Sequence, residues 1–156
     1  MPYVQRDNGA VIGIYAQPQP GYAEESLADD HPEVVAFLSP PPVAADVISE
    51  RDRRLALGFD YDFGDVRGVH HIATTSEDMK GWDEVSKLAS AAINAGLPNI
   101  EITILTNTGP AAVTAAEWQQ VLIASAAHRQ PIWQASFVLQ AMNPIPANYA
   151  DDAYWA

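Results

Sequence analysis

Two hydrophobic rhythms alternate along this chain. Tyr3-Val4-Gln5-Arg6 and Ala10-Val11-Ile12-Gly13-Ile14-Tyr15 flank Asp7-Asn8-Gly9, and an Asn-Gly pair supplies the positive φ angles of a two-residue hairpin turn. The segment therefore predicts a β-hairpin, which is marginal in water until further strands or a partner surface cover it. Pro32-Glu33-Val34-Val35-Ala36-Phe37-Leu38 predicts a helix of about two turns, because proline is tolerated in a first turn and an acid there meets the positive end of the helix dipole. From Val43 the spacing becomes helical again: Ala44, Val47, Ile48 and Leu55 share a face, Glu50 precedes Arg54 by four residues, and Gly58 is a stop. Phe59, Tyr61 and Phe63 then alternate with Asp60 and Asp62, the period of a half-buried strand. Gly64-Asp65 turns the chain, and Val69 to Thr74 returns as the second strand of a hairpin.

The pattern then repeats. A helix begins at Thr75 or Ser76, carries Glu77 and Asp78 in its first turn, and presents Trp82, Val85, Leu88, Ala89, Ala92 and Ile93 at helical spacing before Gly96 and Pro98 end it. Ile100, Ile102 and Ile104 alternate with Glu101 and Thr103, Asn107 to Pro110 turns, and Ala111 to Val113 pairs back. Thr114-Ala115-Ala116-Glu117 matches a capping box. Trp118, Val121, Leu122 and Ser125 follow on one stripe, and Pro131 is expected to kink this helix or restart it as a second one running to about Met142. Residues 59–96 and 100–129 thus both read as hairpin, capped start and tryptophan-bearing helix. The expected fold is α+β: an N-terminal β-hairpin, a Pro-rich spacer, and a compact domain of two ββα-like units. Those units would form a four-stranded antiparallel sheet with helices on one face.

Proline placement sets the expected boundaries. Seven of the twelve prolines lie at or before Pro42, and Pro40-Pro41-Pro42 is a stiff extended spacer. Residues 1–42 are therefore expected to form an attachment segment, 43–143 the domain, and 144–156 a C-terminal tail. Composition narrows the options further. Eight basic against twenty acidic residues give a charge of −12, which argues against nucleic acid as a partner. With no cysteine, disulfides, thiolate catalysis and Cys-ligated zinc are excluded. The charge-free stretches hold Pro, Gln, Asn and Thr rather than about 20 apolar residues, so no membrane span is expected. The opening residues also lack a basic-then-apolar leader pattern.

Candidate chemistry is sparse. His70 and His71 are adjacent on a strand and point to opposite faces, so they cannot share a metal without distortion. Asp60, Asp62 and Asp65 lack the central glycine and terminal glutamate of a calcium loop and read as a solvated strand face. Glu24-Glu25 and Asp29-Asp30 read as solvated acidic loop, and the basic cluster Arg51, Arg53 and Arg54 is nearly neutralised by Asp46, Glu50 and Asp52. No Gly-x-Ser-x-Gly elbow, Walker loop or Gly-x-Gly-x-x-Gly is present. No catalytic, cofactor-binding or metal-binding residue is assigned, and the chain is expected not to be an enzyme. Trp82, Trp118 and Trp133 are expected in the core. Tyr3, Val11, Ile14, Tyr15, Tyr22 and Phe37 of the first segment, with Tyr154 and Trp155 of the tail, are the expected partner-binding residues. For Trp155 the alternative is an anchor against its own domain.

These residues also carry a family resemblance. The run Gly9-Ala10-Val11-Ile12-Gly13-Ile14-Tyr15, then Gln19-Pro20-Gly21-Tyr22-Ala23-Glu24-Glu25 and Asp29-Asp30-His31-Pro32-Glu33-Val34-Val35-Ala36-Phe37-Leu38, is similar to the start of small proteins in the tail-fibre gene region of tailed bacteriophages and prophages. Glu50-Arg51-Asp52-Arg53-Arg54-Leu55 leading into Gly58-Phe59-Asp60-Tyr61, with Thr114-Ala115-Ala116-Glu117-Trp118, resembles a C-terminal domain of unknown function attached to them. The resemblance implies a structural or adaptor protein of the virion tail, assembled in the host cytoplasm. It would act through contacts with tail or tail-fibre proteins, with self-association among its expected modes. The alternatives are a tail-fibre assembly chaperone that leaves the particle and, further off, a hydrolase of cell-surface polymers. The resemblance brings no catalytic residues with it.

Overall fold

A computed structural model describes all 156 residues. The fold is α+β, built from four α-helices and three small antiparallel sheets. The chain divides into two compact units: Met1–Pro42 with Pro144–Ala147, and Val43–Asn143 with Asn148–Ala156.

In the first unit, β1 (Tyr3–Asp7) and β2 (Ala10–Tyr15) form the expected hairpin. Asn8 and Gly9 hold φ of 48° and 87°, the left-handed pair that a tight hairpin turn requires. The hairpin gains a third strand from its own chain: β3 (Glu25–Ser26) pairs with β1, giving the order β2-β1-β3. Sequence periodicity could not reveal a two-residue strand, and Glu25, expected in a solvated loop, lies on it. Arg6 explains its placement. Its guanidinium donates to Glu25 at 2.6 Å and to Glu33 of helix α1 (Pro32–Leu38) at 2.6 Å, joining sheet and helix. Val4, Ala23 and Val34 are the buried apolar residues of this small unit.

The second unit opens with α2 (Ala44–Leu55), whose first turn is closed by Asp46 accepting from Val43 N–H at 2.8 Å. The strands β4 (Phe59–Asp62) and β5 (Val69–Ile72) pair in register, and α3 (Ser76–Asn94) starts on a Thr75/Asp78 capping box. Next come β6 (Glu101–Thr106), β7 (Gly109–Thr114) and α4 (Ala115–Gln140), the last started by the Thr114/Glu117 box. The core gathers Phe59, Ile72, Trp82, Ile102, Ile104, Val113 and Trp118 among others. Trp82 and Trp118 meet edge to face at 5.0 Å, with their N–H groups donated to Ala73 O and Ser86 Oγ. No buried side-chain nitrogen or oxygen is left without a partner. Arg67 crosses from the β4–β5 loop to Ala112 O at 2.7 Å and to Glu117, while its plane covers Phe63 at 4.3 Å.

Two expectations need correction, and a third loses one of its alternatives. The four-stranded sheet is instead two separate two-stranded ladders, β4-β5 and β6-β7. Where they meet, the β6–β7 turn caps β5. Asn107 N–H donates to His71 O at 3.1 Å, but His71 N–H goes to the Thr108 hydroxyl at 2.9 Å, so a side chain replaces a ladder bond. Pro131 does not restart the helix, because α4 runs through it without interruption. Its buried residues Trp118, Val121, Ser125, Ile132, Ser136 and Leu139 stay on one stripe across the proline. Pro131 and Ala127, whose carbonyl loses its intrahelical donor, face solvent. Residues 144–156 are not one tail: 144–147 group with the first unit and 148–156 with the second. The second stretch ends in a short 3-10 turn, Asp152–Tyr154, followed by a buried Trp155.

Candidate functional site

The expected partner-binding residues separate into two sets. Tyr3, Val11, Ile14 and Tyr15 are half-buried on β1 and β2, while Tyr22 and Phe37 are exposed. All six belong to the first unit. Trp155 is corrected to its alternative. It is buried, donates its indole N–H to Tyr149 O at 2.7 Å, and lies 5.0 Å beneath the Arg54 guanidinium. It is an anchor of its own domain and is not free to dock. Tyr154 is half-buried beside it.

On the first unit, β2 is an edge strand. Its register with β1 passes from Gln5↔Gly13 to Arg6↔Val11, so Ile12 is an extra residue, unpaired and about half exposed. Such a bulge bends an edge and turns its side chain outward. Helix α1 packs against β2. Its sequence holds Val34, Val35, Phe37 and Leu38 within two turns, and a single buried stripe cannot accommodate apolar residues on every side. Val34 is buried, leaving Val35, Phe37 and Leu38 exposed. Two shallow grooves result, one pairing Ile14 and Tyr15 with Val34 and Leu38, the other pairing Val11 with Phe37. Tyr22 meets Tyr15 edge to face at 5.7 Å, and the Tyr15 hydroxyl donates to Gln5 Oε1 at 2.9 Å, fixing the ring. Ile12, Val35 and Leu38 were missed in the sequence reading, although the crowding of apolar residues in α1 was the signal for two of them.

The surface is held in shape electrostatically. The Arg6 guanidinium keeps the Glu25 and Glu33 carboxyls below their usual range, chiefly through direct hydrogen bonds, and both acids in turn raise Arg6. His31 Nδ1 caps α1 by accepting from Glu33 N–H at 3.3 Å.

The other candidate residues are engaged within the second unit. His70 is buried, with Nδ1 2.9 Å from Thr106 Oγ1; because that hydroxyl donates to Gly109 O at 2.7 Å, the histidine is the donor. His71 faces Asp60 through Nδ1 at 2.7 Å and Leu57 O through Nε2 at 2.9 Å. Asp62 accepts from Gly64 N–H, and Asp65 pairs with Arg67, so the three aspartates near β4 serve three different partners. Arg67 holds the Asp65 and Glu117 carboxyls down to about 2, mainly by hydrogen bonding. Arg51 lies over the half-buried Trp133 at 4.3 Å, Arg53 pairs with Glu50, and Arg54 pairs with Glu50 and Asp152. The basic cluster is thus engaged internally. No group of three or more His, Asp or Glu residues has the geometry to hold a metal ion, and no helix is long and apolar enough to cross a membrane.

No protein-family model, curated protein or solved structure matches this chain.

Proposed function

We propose that this protein is a structural or adaptor component of a phage tail or tail fibre, working through protein contacts made by its first unit. The observation that carries the reading is the open β2 edge with its bulged Ile12, set beside the exposed Val35, Phe37 and Leu38 of α1. An unpaired strand edge next to exposed apolar side chains is chemistry suited to a partner that adds backbone hydrogen bonds and covers the apolar residues. The resemblance of 9–15, 19–25 and 29–38 to tail-fibre-region proteins falls on these same residues and supplies the tail as the setting. Self-association through the same edge belongs to this reading, as does location in the virion tail after assembly in the host cytoplasm.

The test is co-purification with the fibre protein encoded beside it, together with mass spectrometry of purified particles. The expected result is capture of the fibre protein and presence in mature virions. Ile12→Asp and Phe37→Asp should each weaken capture at least tenfold, with the melting temperature of the second unit unchanged. Capture without presence in virions would replace the structural role with that of an assembly chaperone. Absence of both would remove the tail reading.

A further inference from the structure

The second unit contains a cleft of about 320 Å³ between the first half of α3 and the strands β5 and β6. Trp82 and Trp118 wall it, Leu105 borders it, and Glu77, Asp78 and Gly81 line its α3 side. Its size suits a ligand of roughly ten to fifteen heavy atoms, near the small end of ligand pockets.

Gly81 is the unusual residue. It lies inside α3, where glycine weakens a helix relative to alanine. Nothing in the fold demands it: its φ is not positive, and a Cβ built there meets no atom within 4 Å. A residue that costs helix stability and relieves no clash leaves open space, and Gly81 leaves it at the exposed α3 rim of the cleft. Charge sets the ligand's sign. Glu77 and Asp78 are the ionisable groups lining the cleft. The nearest cation on α3, Lys80, is held by Glu77 at 2.6 Å in a pair whose side chains are both more than 70% exposed. Such a pair is weak and readily exchanged for another cation. Indole walls favour an aromatic or branched apolar body, and a cation beside them is further stabilised by the ring quadrupole.

We propose that this cleft binds a small free aryl-alkyl ammonium compound, with its apolar body against Trp82 and its ammonium at Glu77; Asp78, whose Oδ2 already accepts from the Thr75 N–H and hydroxyl, adds only its negative field. The site is independent of the contact surface on the first unit, since none of its residues lies there.

The test is titration of the full chain with 2-phenylethylammonium, read by the indole N–H resonances in a proton–nitrogen correlation spectrum, with 3-phenylpropionate as the oppositely charged analogue. The expected dissociation constant for the ammonium is on the order of 1 mM, as suits so few atoms. The carboxylate should bind at least tenfold more weakly. Gly81→Leu, which sets a branched side chain at the rim of the cleft from an exposed helix position, should melt no lower than the wild type and abolish the indole shifts. Glu77→Gln should weaken the ammonium about threefold, the scale of an exposed ion pair, and leave the carboxylate no weaker. Gly81→Ala should melt higher than the wild type yet bind less tightly. Equal binding of the two probes, unchanged binding by Gly81→Leu, or no indole shift at about 10 mM would each overturn the proposal.

Discussion

His71 shows how one side chain can link pH to stability. Both ring nitrogens face acceptors, the Asp60 carboxylate and the Leu57 carbonyl, and only the doubly protonated ring can donate to both. Its pKa is accordingly raised, first by the bond to Asp60 and next by the backbone carbonyl. Gly58 lets the ring come close: with φ of 79°, it lies where a Cβ would fall 2.7 Å from His71 Nε2 and 2.5 Å from Ile72 O. Because the folded value lies above the unfolded one, the contribution is fully present below about pH 6.5 and is lost as pH rises through the folded value. Denaturant midpoints compared between pH 6 and pH 9 should fall more for the wild type than for His71→Asn. A parallel response in the two proteins would show that the ring does not titrate against its neighbours. Arg67 works with the opposite sign. The lowered Asp65 and Glu117 values mean that its pairs stabilise above about pH 4 and fail as pH drops toward about 2.

At the scale of elements, α4 shows which of two local rules wins. Proline in a helix interior removes one hydrogen bond and crowds the preceding turn, at a cost of about 3 kcal/mol in an isolated helix. Burial of the stripe through Ile132, Ser136 and Leu139 continues in phase beyond the proline, and packing of α4 on α2 and α3 outweighs that local penalty. Pro131→Ala is therefore expected to stabilise the protein by about 1–3 kcal/mol, measured by denaturant unfolding. A loss of stability would mean that the proline is needed to bend the helix onto its neighbours. The capping boxes are the converse case, where local chemistry and tertiary packing agree. Thr75 with Asp78, and Thr114 with Glu117, start α3 and α4 where their sequences place them.

For the whole molecule, the division into units carries the prediction. Val43–Ala156 contains the large core and the Trp155 anchor, and it should melt as one cooperative transition without the first unit. Ending the fragment at Asn143 removes Trp155, which the fold buries at 4% exposure against Arg54 and Tyr149. Loss of a buried tryptophan side chain costs about 3–5 kcal/mol, so the shorter fragment should melt markedly lower. Equal melting of the two fragments would show that the closing residues add nothing to the core.

Much of this architecture was legible in the order of residues. Period-two alternation placed β4 and β6, helical spacing and hydroxyl–carboxylate caps placed α3 and α4, and Asn8-Gly9 placed the first turn. Each of these signals lies within a few residues of the structure it specifies, which is why it survives without knowledge of the fold. Tertiary structure alone decided what depends on distant neighbours. Arg6 recruited Glu25 into a third strand, and the Thr108 hydroxyl took the His71 N–H that a continuous sheet would have used. Arg54 and Tyr149 drew Trp155 inside, and the open space beside Gly81 exists only because α3 packs next to β5 and β6. The candidate surface divides in the same way: aromatic and branched residues of the first forty positions marked the region, but exposure of Ile12 required the bulge in its pairing. Long-range contacts are chosen by competition among all available partners, and a local pattern records only one side of that competition.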